Sequence, residues 1–321
     1  MKTAAPFTFV DLQPVTDCFL DDVLAGFGGM PKALSPKYFY DALGSELFEA
    51  ICELPEYYPT RTEFALMRER AAEMAASLGE HCLLIEFGSG AGTKTEVLLQ
   101  ALRPAAYVAV DISPAALHAA APRIAERHPG MPVIAVCADY MQPLDIPGLS
   151  PFAAARRVVY FPGSTIGNLT PDEARDFLRD ALRLVGAGGA MLVCVDLKKD
   201  HAVLHAAYND AQGVTAQFNL NLLRRINREL GADFELQQFR HLAFYDPVAG
   251  RIEMHLESLC PQTVTINGHP FAFAAGERLH TENSYKYAID EFRELARNSG
   301  FRAQQVWCDP LDHFAVHLLE A

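Results

Sequence analysis

The sequence predicts an α/β protein: a doubly wound, parallel sheet joined to a second, α+β part. Three observations predict it. Between residues 82 and 196 short apolar runs alternate with segments that carry apolar residues at helical spacing, as βα units require. The first run, Leu83-Leu84-Ile85-Glu86-Phe87, leads into a turn with glycine at 88, 90 and 92, where backbone can approach a ligand closely. After Asp196 the rhythm changes to helices and then to strands punctuated by turn residues.

Taken in order, strands are expected at 82–87, 106–110, 132–137, 157–161 and 190–195, with helices at 93–103, 114–127 and 171–185. The last helix has a marked start. Thr170 is an N-cap, Pro171 sits at the first helical position, and Asp172 and Glu173 put negative charge in the first turn. Residues 200–211 and 216–230 read as helices, and 236–245, 251–259, 263–266 and 270–273 as antiparallel strands. A final helix over 287–298 ends at Gly300, and strand-like runs at 301–308 and 314–319 flank Asp309-Pro310-Leu311-Asp312. The N-terminal stretch, with Pro55, Pro59 and closely spaced tyrosines, fits no parallel-sheet unit.

Composition narrows the function classes. The 321 residues are 50% hydrophobic and 21% charged, which suits a globular protein with a large core. A net charge of -13 argues against general affinity for nucleic acid or an anionic membrane. No apolar stretch is long enough to span a bilayer, and residues 1–6 lack a secretory pattern, so a cytoplasmic location is expected. The cysteines at 18, 52, 82, 137, 194, 260 and 308 contain no C-x-x-C spacing. Buried thiols in a reducing compartment are expected, with no disulfide framework and no metal.

Ligands of an open parallel sheet collect at the carboxyl ends of its strands. Three carboxylates fall there: Glu86, Asp111 and Asp139. An acidic residue about twenty positions beyond a glycine turn accepts hydrogen bonds from ribose hydroxyls, which suits Asp111. Asp139 suits an adenine amino group, and Tyr140 offers a face for the ring. Lys94, just inside the helix, can reach a ligand carboxylate. The competing readings are a helix cap for Asp111, a loop cap for Asp139 and a solvated helix face for Lys94. A dinucleotide fingerprint asks for glycine where Thr93 stands, so NAD is poorly served. The pattern Glu-x-Gly-x-Gly-x-Gly resembles the first motif of class I S-adenosylmethionine (SAM) methyltransferases. It implies SAM as cofactor, held by Glu86, Gly88, Ser89, Gly90, Lys94, Asp111, Asp139 and Tyr140.

Two segments outside the strands are dense in unusual residues. One runs Phe39-Tyr40-Asp41-Ala42-Leu43-Gly44-Ser45-Glu46-Leu47-Phe48, then Leu54-Pro55-Glu56-Tyr57-Tyr58-Pro59-Thr60-Arg61-Thr62-Glu63. The other is Gly163-Ser164-Thr165-Ile166-Gly167-Asn168-Leu169-Thr170-Pro171, at the ligand edge after the fourth strand. Later come Ala207-Tyr208-Asn209-Asp210 and His280-Thr281-Glu282-Asn283-Ser284-Tyr285-Lys286-Tyr287. In this order, from about Pro36 to the C-terminus, these segments resemble the histidine-specific Nα-methyltransferases of ergothioneine biosynthesis.

The resemblance implies a class I methyltransferase sheet with a terminal antiparallel hairpin, and a second, α+β substrate-binding domain. Residues 63–198 and 287–321 would form the SAM domain, and 1–62 and 199–286 the substrate domain. It implies three successive methylations of the α-amino nitrogen of L-histidine, giving hercynine. Tyr57, Asn168 and Tyr208 would hold the α-amino-acid end, with Tyr40 near the methylated nitrogen. These four are the expected catalytic set. Glu282 and Ser284 would hold the imidazole, with Met254 beside the ring and Asn283 in the same segment. His255 and His280 receive no catalytic role.

The chemistry asks for alignment, a neutral amine and a dry site, because a sulfonium is already an activated leaving group. Glu282 is expected to decide substrate identity, since an apolar residue there would suit a tryptophan-like substrate. The alternatives are an N-methyltransferase for another aromatic amino acid and a non-catalytic protein that binds SAM or an amino acid. A monomer is expected, with a small-molecule partner only.

Overall fold

The computed structural model describes residues 7–13, 19–90 and 93–321, so Cys18 and Gly92 lie outside the described residues. In chain order its elements are β1 (Phe7–Asp11), α1 (Phe19–Gly28), β2 (Lys32–Ala33), α2 (Ala42–Cys52), α3 (Tyr58–Leu78), β3 (Leu83–Phe87), α4 (Thr93–Leu102) and β4 (Ala106–Asp111). Then follow α5 (Pro114–Arg127), β5 (Val133–Cys137), β6 (Arg157–Phe161), α6 (Pro171–Val185), β7 (Ala190–Asp196), α7 (His201–Tyr208), α8 (Val214–Leu230) and β8 (Phe239–Asp246). The last are β9 (Arg251–Ser258), β10 (Gln262–Ile266), β11 (His269–Phe273), β12 (Arg278–Tyr285), α9 (Ile289–Asn298), β13 (Arg302–Cys308) and β14 (Phe314–Glu320). Two compact units result, one of Met1–Val15, Arg61–Leu197 and Tyr287–Ala321, the other of Thr16–Thr60 and Lys198–Lys286.

The first unit is built on an eight-stranded sheet of order β1-β5-β4-β3-β6-β7-β14-β13. The six strands from β1 to β7 in that order are parallel, and β14 and β13 run antiparallel as the terminal hairpin. Strands β3, β5 and β7 are buried at every residue, as a sheet covered on both faces demands. The helical stripe Leu66, Met67, Met74 and Leu78 packs into one core with Leu84, Leu98, Tyr107 and Val158. Each such fully buried side chain contributes roughly 1.5–3 kcal/mol. Helix α6 starts on the expected N-cap, Thr170, and the structure adds a capping box, Thr170 and Glu173 each bonding the other's backbone.

One expectation is corrected here. Residues 1–62 do not belong wholly to the second unit, because β1 pairs in parallel with β5 from Phe7↔Val133 to Asp11↔Cys137. An edge strand needs one neighbour only. The chain that follows it enters the other unit, so no βα rhythm marks it in the sequence.

The second unit holds a four-stranded sheet of order β2-β12-β9-β8 and a two-stranded one of β10 and β11. Phe39, Phe218, Leu222, Phe239, Met254 and Leu279 belong to its core. The Phe-Tyr-Asp-x-x-Gly motif is in part structural. Asp41 caps α2 by accepting the Gly44 N–H at 2.7 Å, and a Cβ on Gly44 would lie 1.7 Å from the Phe39 carbonyl oxygen. Among the described residues no helix is long and apolar enough to cross a membrane.

Candidate functional site

The order of the large sheet reverses at β3, which lies between β4 and β6. A topological switch point of this kind is where open α/β sheets take their ligands. The glycine turn follows β3 there, with φ of 68° at Gly88 and 46° at Gly90, the left-handed region that favours glycine. It is tied to the neighbouring strand: Gly88 N–H donates to the Val110 carbonyl at 2.9 Å, and Gly90 N–H to Asp111 Oδ2 at 3.1 Å. Asp111 Oδ1 accepts the Ser113 N–H at 2.9 Å, and burial raises the pKa of this carboxyl. Asp139 turns the chain after β5 by accepting the Met141 N–H at 2.9 Å. The Tyr140 ring then stacks on Phe87 at 5.6 Å and 9°.

Ser89 Oγ is buried and makes no hydrogen bond among the described residues. A buried hydroxyl on a glycine turn, beside two strand-end carboxylates and an aromatic face, fits an adenosine bearing an amino-acid tail.

Glu86 has another task. It is buried, its oxygens accept from Thr95 Oγ1 at 2.6 Å and from the Tyr107 hydroxyl, and burial pushes its pKa up to about 7. It clamps α4 against β4 beneath the turn and presents no oxygen at the surface. Lys94 lies beside the loop after β6, its Nζ 3.9 Å from the position of a Cβ on Gly163. It pairs with Glu63, whose other oxygen accepts the Gly163 N–H at 2.8 Å.

Glu63 is absent from the sequence-predicted site. Its signal was available, since a carboxylate at position 63 shares the helix face of Leu66 and Met67, which are buried core residues. In the loop after β6, Ser164 adopts a φ of 56°, and its Oγ accepts the buried Asp196 N–H at 2.8 Å. Asn168 ends the following 3-10 turn, half-buried.

The second unit brings most of the remaining expected residues together. The Tyr40 ring meets Phe48 edge-on at 5.6 Å, the Tyr57 ring lies 6.3 Å from Phe48, and it lies 6.3 Å from Tyr208. Burial, then the nearby Tyr208, Cys52, Glu282 and Tyr40, hold the Tyr57 phenol well above its ordinary pKa, so it stays neutral. Side chains alternate along β12, so Glu282 and Ser284 share its buried face, opposite Met254 and Ile252 of β9. Burial pushes the Glu282 pKa up to about 7, opposed by the Lys286 ammonium.

The Tyr208 hydroxyl donates to Ser284 Oγ at 2.8 Å, and Lys286 Nζ donates to Ser284 Oγ at 2.7 Å and to the Tyr208 hydroxyl at 3.1 Å. Lys286 lies in the segment that the sequence singles out, but nothing in the sequence assigns it a role. A relay fixes the far side. Thr281 Oγ1 donates to Asn219 Oδ1 at 2.9 Å, Asn219 Nδ2 to His241 Nδ1 at 2.9 Å, and His241 Nε2 to the Tyr208 carbonyl at 2.9 Å.

Asn283 differs from expectation. The same alternation turns its side chain to the opposite face, where Oδ1 meets His280 Nε2 at 3.0 Å. That face also carries His255, whose Nε2 lies 2.9 Å from Glu253 Oε2, while Arg251 engages the other Glu253 oxygen. The ligating atoms of Glu253, His255 and His280 lie within 4.8 Å of one another: Glu253 bonds both His255 and Arg251, and the His280 ring lies 5.0 Å from the His255 ring.

Residues 19–321 match the family "Histidine-specific methyltransferase, SAM-dependent". The chain is 42% identical over 303 residues to a histidine N-alpha-methyltransferase of Mycolicibacterium smegmatis, covering 92% of this chain and 93% of the relative. It is 40% identical over 304 residues to the Mycobacterium tuberculosis protein of the same description, with the same two coverages. A third relative, ergothioneine biosynthesis protein 1 of Neurospora crassa, is 28% identical over 307 residues, 90% of this chain and 33% of that one.

Proposed function

Because this chain belongs to the family of SAM-dependent, histidine-specific methyltransferases, we propose that it methylates the α-amino nitrogen of L-histidine three times, giving hercynine, the first step of ergothioneine biosynthesis. The observation that carries the choice of substrate is the buried pair Glu282 and Ser284 on one face of β12, facing Met254. Burying a carboxylate is costly unless something hydrogen-bonds it, and the N–H of an imidazole supplies that partner. An indole offers no second polar group for Ser284.

When bound, SAM supplies an electrophilic methyl group on a sulfonium. The residues of the first unit would hold it: the turn Gly88-Ser89-Gly90 for the backbone approach, Asp111 for the ribose, Asp139 and Tyr140 for the adenine, and Lys94 for the carboxylate. Glu86 serves by holding α4. In the second unit, Tyr57 and Tyr208 would orient the amino-acid end, with Tyr40 beside the amine. Asn168, in the first unit, is the remaining residue that the resemblance assigns to the substrate. The neutral Tyr57 phenol acts as a donor and as a ring face. Such faces favour a nitrogen that gains fixed positive charge with methylation, by roughly 0.5–2 kcal/mol.

A monomeric, cytoplasmic enzyme acting on a small molecule, with no nucleic acid or membrane partner, completes the proposal. The net charge of -13 supports it, and light scattering checks the oligomeric state. Mass spectrometry after incubation with SAM and L-histidine tests the reaction. A product heavier by three methyl groups is expected. Tight binding of both compounds without turnover would favour a sensor, and methylation of tryptophan in preference to histidine would favour the other aromatic substrate.

A further inference from the structure

The Ser284 hydroxyl has one proton and two lone pairs. Both lone pairs are engaged by protein donors, one by the Tyr208 hydroxyl at 2.8 Å and the other by Lys286 Nζ at 2.7 Å. An ammonium only donates, so Lys286 cannot be turned round to accept from Ser284. Ser284 is left with its own proton as the group it can offer a ligand. The residue two places earlier on the same face of the strand is Glu282, an acceptor when ionised. Two residues of strand separate them by roughly 6.5 Å, about the span of a planar five-membered ring with a hydrogen bond on either side.

We propose that Lys286 is a positioning residue that makes Ser284 an obligate donor, so that the Glu282–Ser284 pair accepts one nitrogen of a neutral imidazole and donates to the other. This rests on the reading of histidine as substrate. The pair then selects a neutral ring in a single tautomer, with N–H toward Glu282 and the bare nitrogen toward Ser284. A ring protonated on both nitrogens leaves Ser284 facing a donor with a proton of its own. Lys286 is suited to the task because it is 2% exposed and lies 5.0 Å over the Tyr208 ring, which limits where its ammonium can go. Ser284 thus owes its hydrogen-bonding direction to a residue that need not touch the ligand.

The test compares Lys286→Met, Lys286→Gln and Ser284→Ala by calorimetry with L-histidine, on protein saturated with S-adenosylhomocysteine. K286M is expected to bind histidine at least tenfold more weakly, with S-adenosylhomocysteine affinity within twofold. K286Q, which keeps an N–H donor, is expected to recover at least half of that loss on a logarithmic scale. K286M added to S284A is expected to cost less than a further twofold. Unchanged histidine affinity in K286M, equal losses in K286M and K286Q, or additive losses with S284A would overturn the proposal. If K286M no longer binds S-adenosylhomocysteine, the comparison of K286Q with K286Q/S284A decides on the same twofold criterion. Failure of the unsubstituted protein to methylate or bind histidine would instead overturn the substrate reading.

Discussion

Glu63 and Lys94 form an ion pair in which the carboxylate is buried and the ammonium is one-quarter exposed. The second Glu63 oxygen accepts the Gly163 N–H, so one side chain ties α3, the start of α4 and the loop after β6 together at the switch point. A lysine on a flexible four-carbon stem loses rotamer freedom on binding a ligand, and Glu63 removes part of that freedom in advance. Glu63→Gln keeps an acceptor for Gly163 but gives up the charge that aims Lys94. Affinity for S-adenosylhomocysteine is expected to fall roughly tenfold, about 1.4 kcal/mol, with a small change in melting temperature. Glu63→Ala additionally orphans the Gly163 N–H and is expected to cost about 1–3 kcal/mol of stability. Calorimetry that finds E63Q as tight as the unsubstituted protein removes the aiming role.

Glu282 couples substrate choice to stability. Its pKa in the fold is about 7, above the ordinary glutamate value of 4.5, and burial is the main cause. The folded protein therefore holds a proton that the unfolded chain releases between pH 4.5 and 7. The contribution is favourable below that window and is lost as pH rises through about 7, a change of order 3 kcal/mol. Glu282→Gln removes the titration. At pH 8 the unliganded variant is expected to melt higher than the unsubstituted protein, and at pH 4.5 the two should agree. Histidine affinity is expected to fall at least tenfold while S-adenosylhomocysteine binding holds. Glu86, also raised to about 7, adds a second fall in stability over the same window that E282Q leaves in place.

The two halves of the site were not equally legible in the sequence. Gly88, Gly90, Asp111 and Asp139 are recognisable because a parallel sheet fixes where its strand ends point, and spacing alone locates them. The strands β3 to β7 are legible to within a residue or two, because burial on both faces makes each a continuous apolar run. Strand β12 is not. It buries Thr281, Glu282 and Ser284 and carries His280 and Asn283 on its other face, so no apolar alternation marks it. Glu282 and Ser284 were accessible through motif resemblance only. Lys286 and Glu63 act through partners distant in sequence, at Tyr208 and at Lys94 and Gly163, so local pattern, which shows only that Glu63 shares a helix face with core residues, names neither role.

Tyr57 is a neutral phenol over the whole working pH range, because burial holds its pKa well above the ordinary value. It cannot serve as a phenolate base near neutrality. Tyr57→Phe keeps the ring that meets Phe48 and Tyr208 and removes one donor. A hydrogen bond to a charged amino-acid group is worth about 1.5–3 kcal/mol, so kcat/KM for histidine should fall roughly 10- to 100-fold. The pH profile of kcat/KM should keep its shape. A basic limb that disappears in Y57F would assign this phenol the proton transfer after all.

Ser164 carries two opposed energies. A non-glycine residue at a φ of 56° is strained by roughly 1–2 kcal/mol, yet its Oγ satisfies the Asp196 N–H in a place closed to water. Orphaning a buried N–H costs about 1–3 kcal/mol. Ser164→Gly relieves the strain and loses the acceptor, whereas Ser164→Ala keeps the strain and loses the acceptor too. The melting temperature is therefore expected to fall in the order Ser164, S164G, S164A. The loop these residues shape ends at Asn168, and Leu169 follows with Thr170 capping α6, so S164A should also lower histidine turnover more than S164G does. Equal melting of S164A and the unsubstituted protein would show that the Asp196 N–H finds another acceptor, and the loop would then owe its conformation to the Thr170 cap alone.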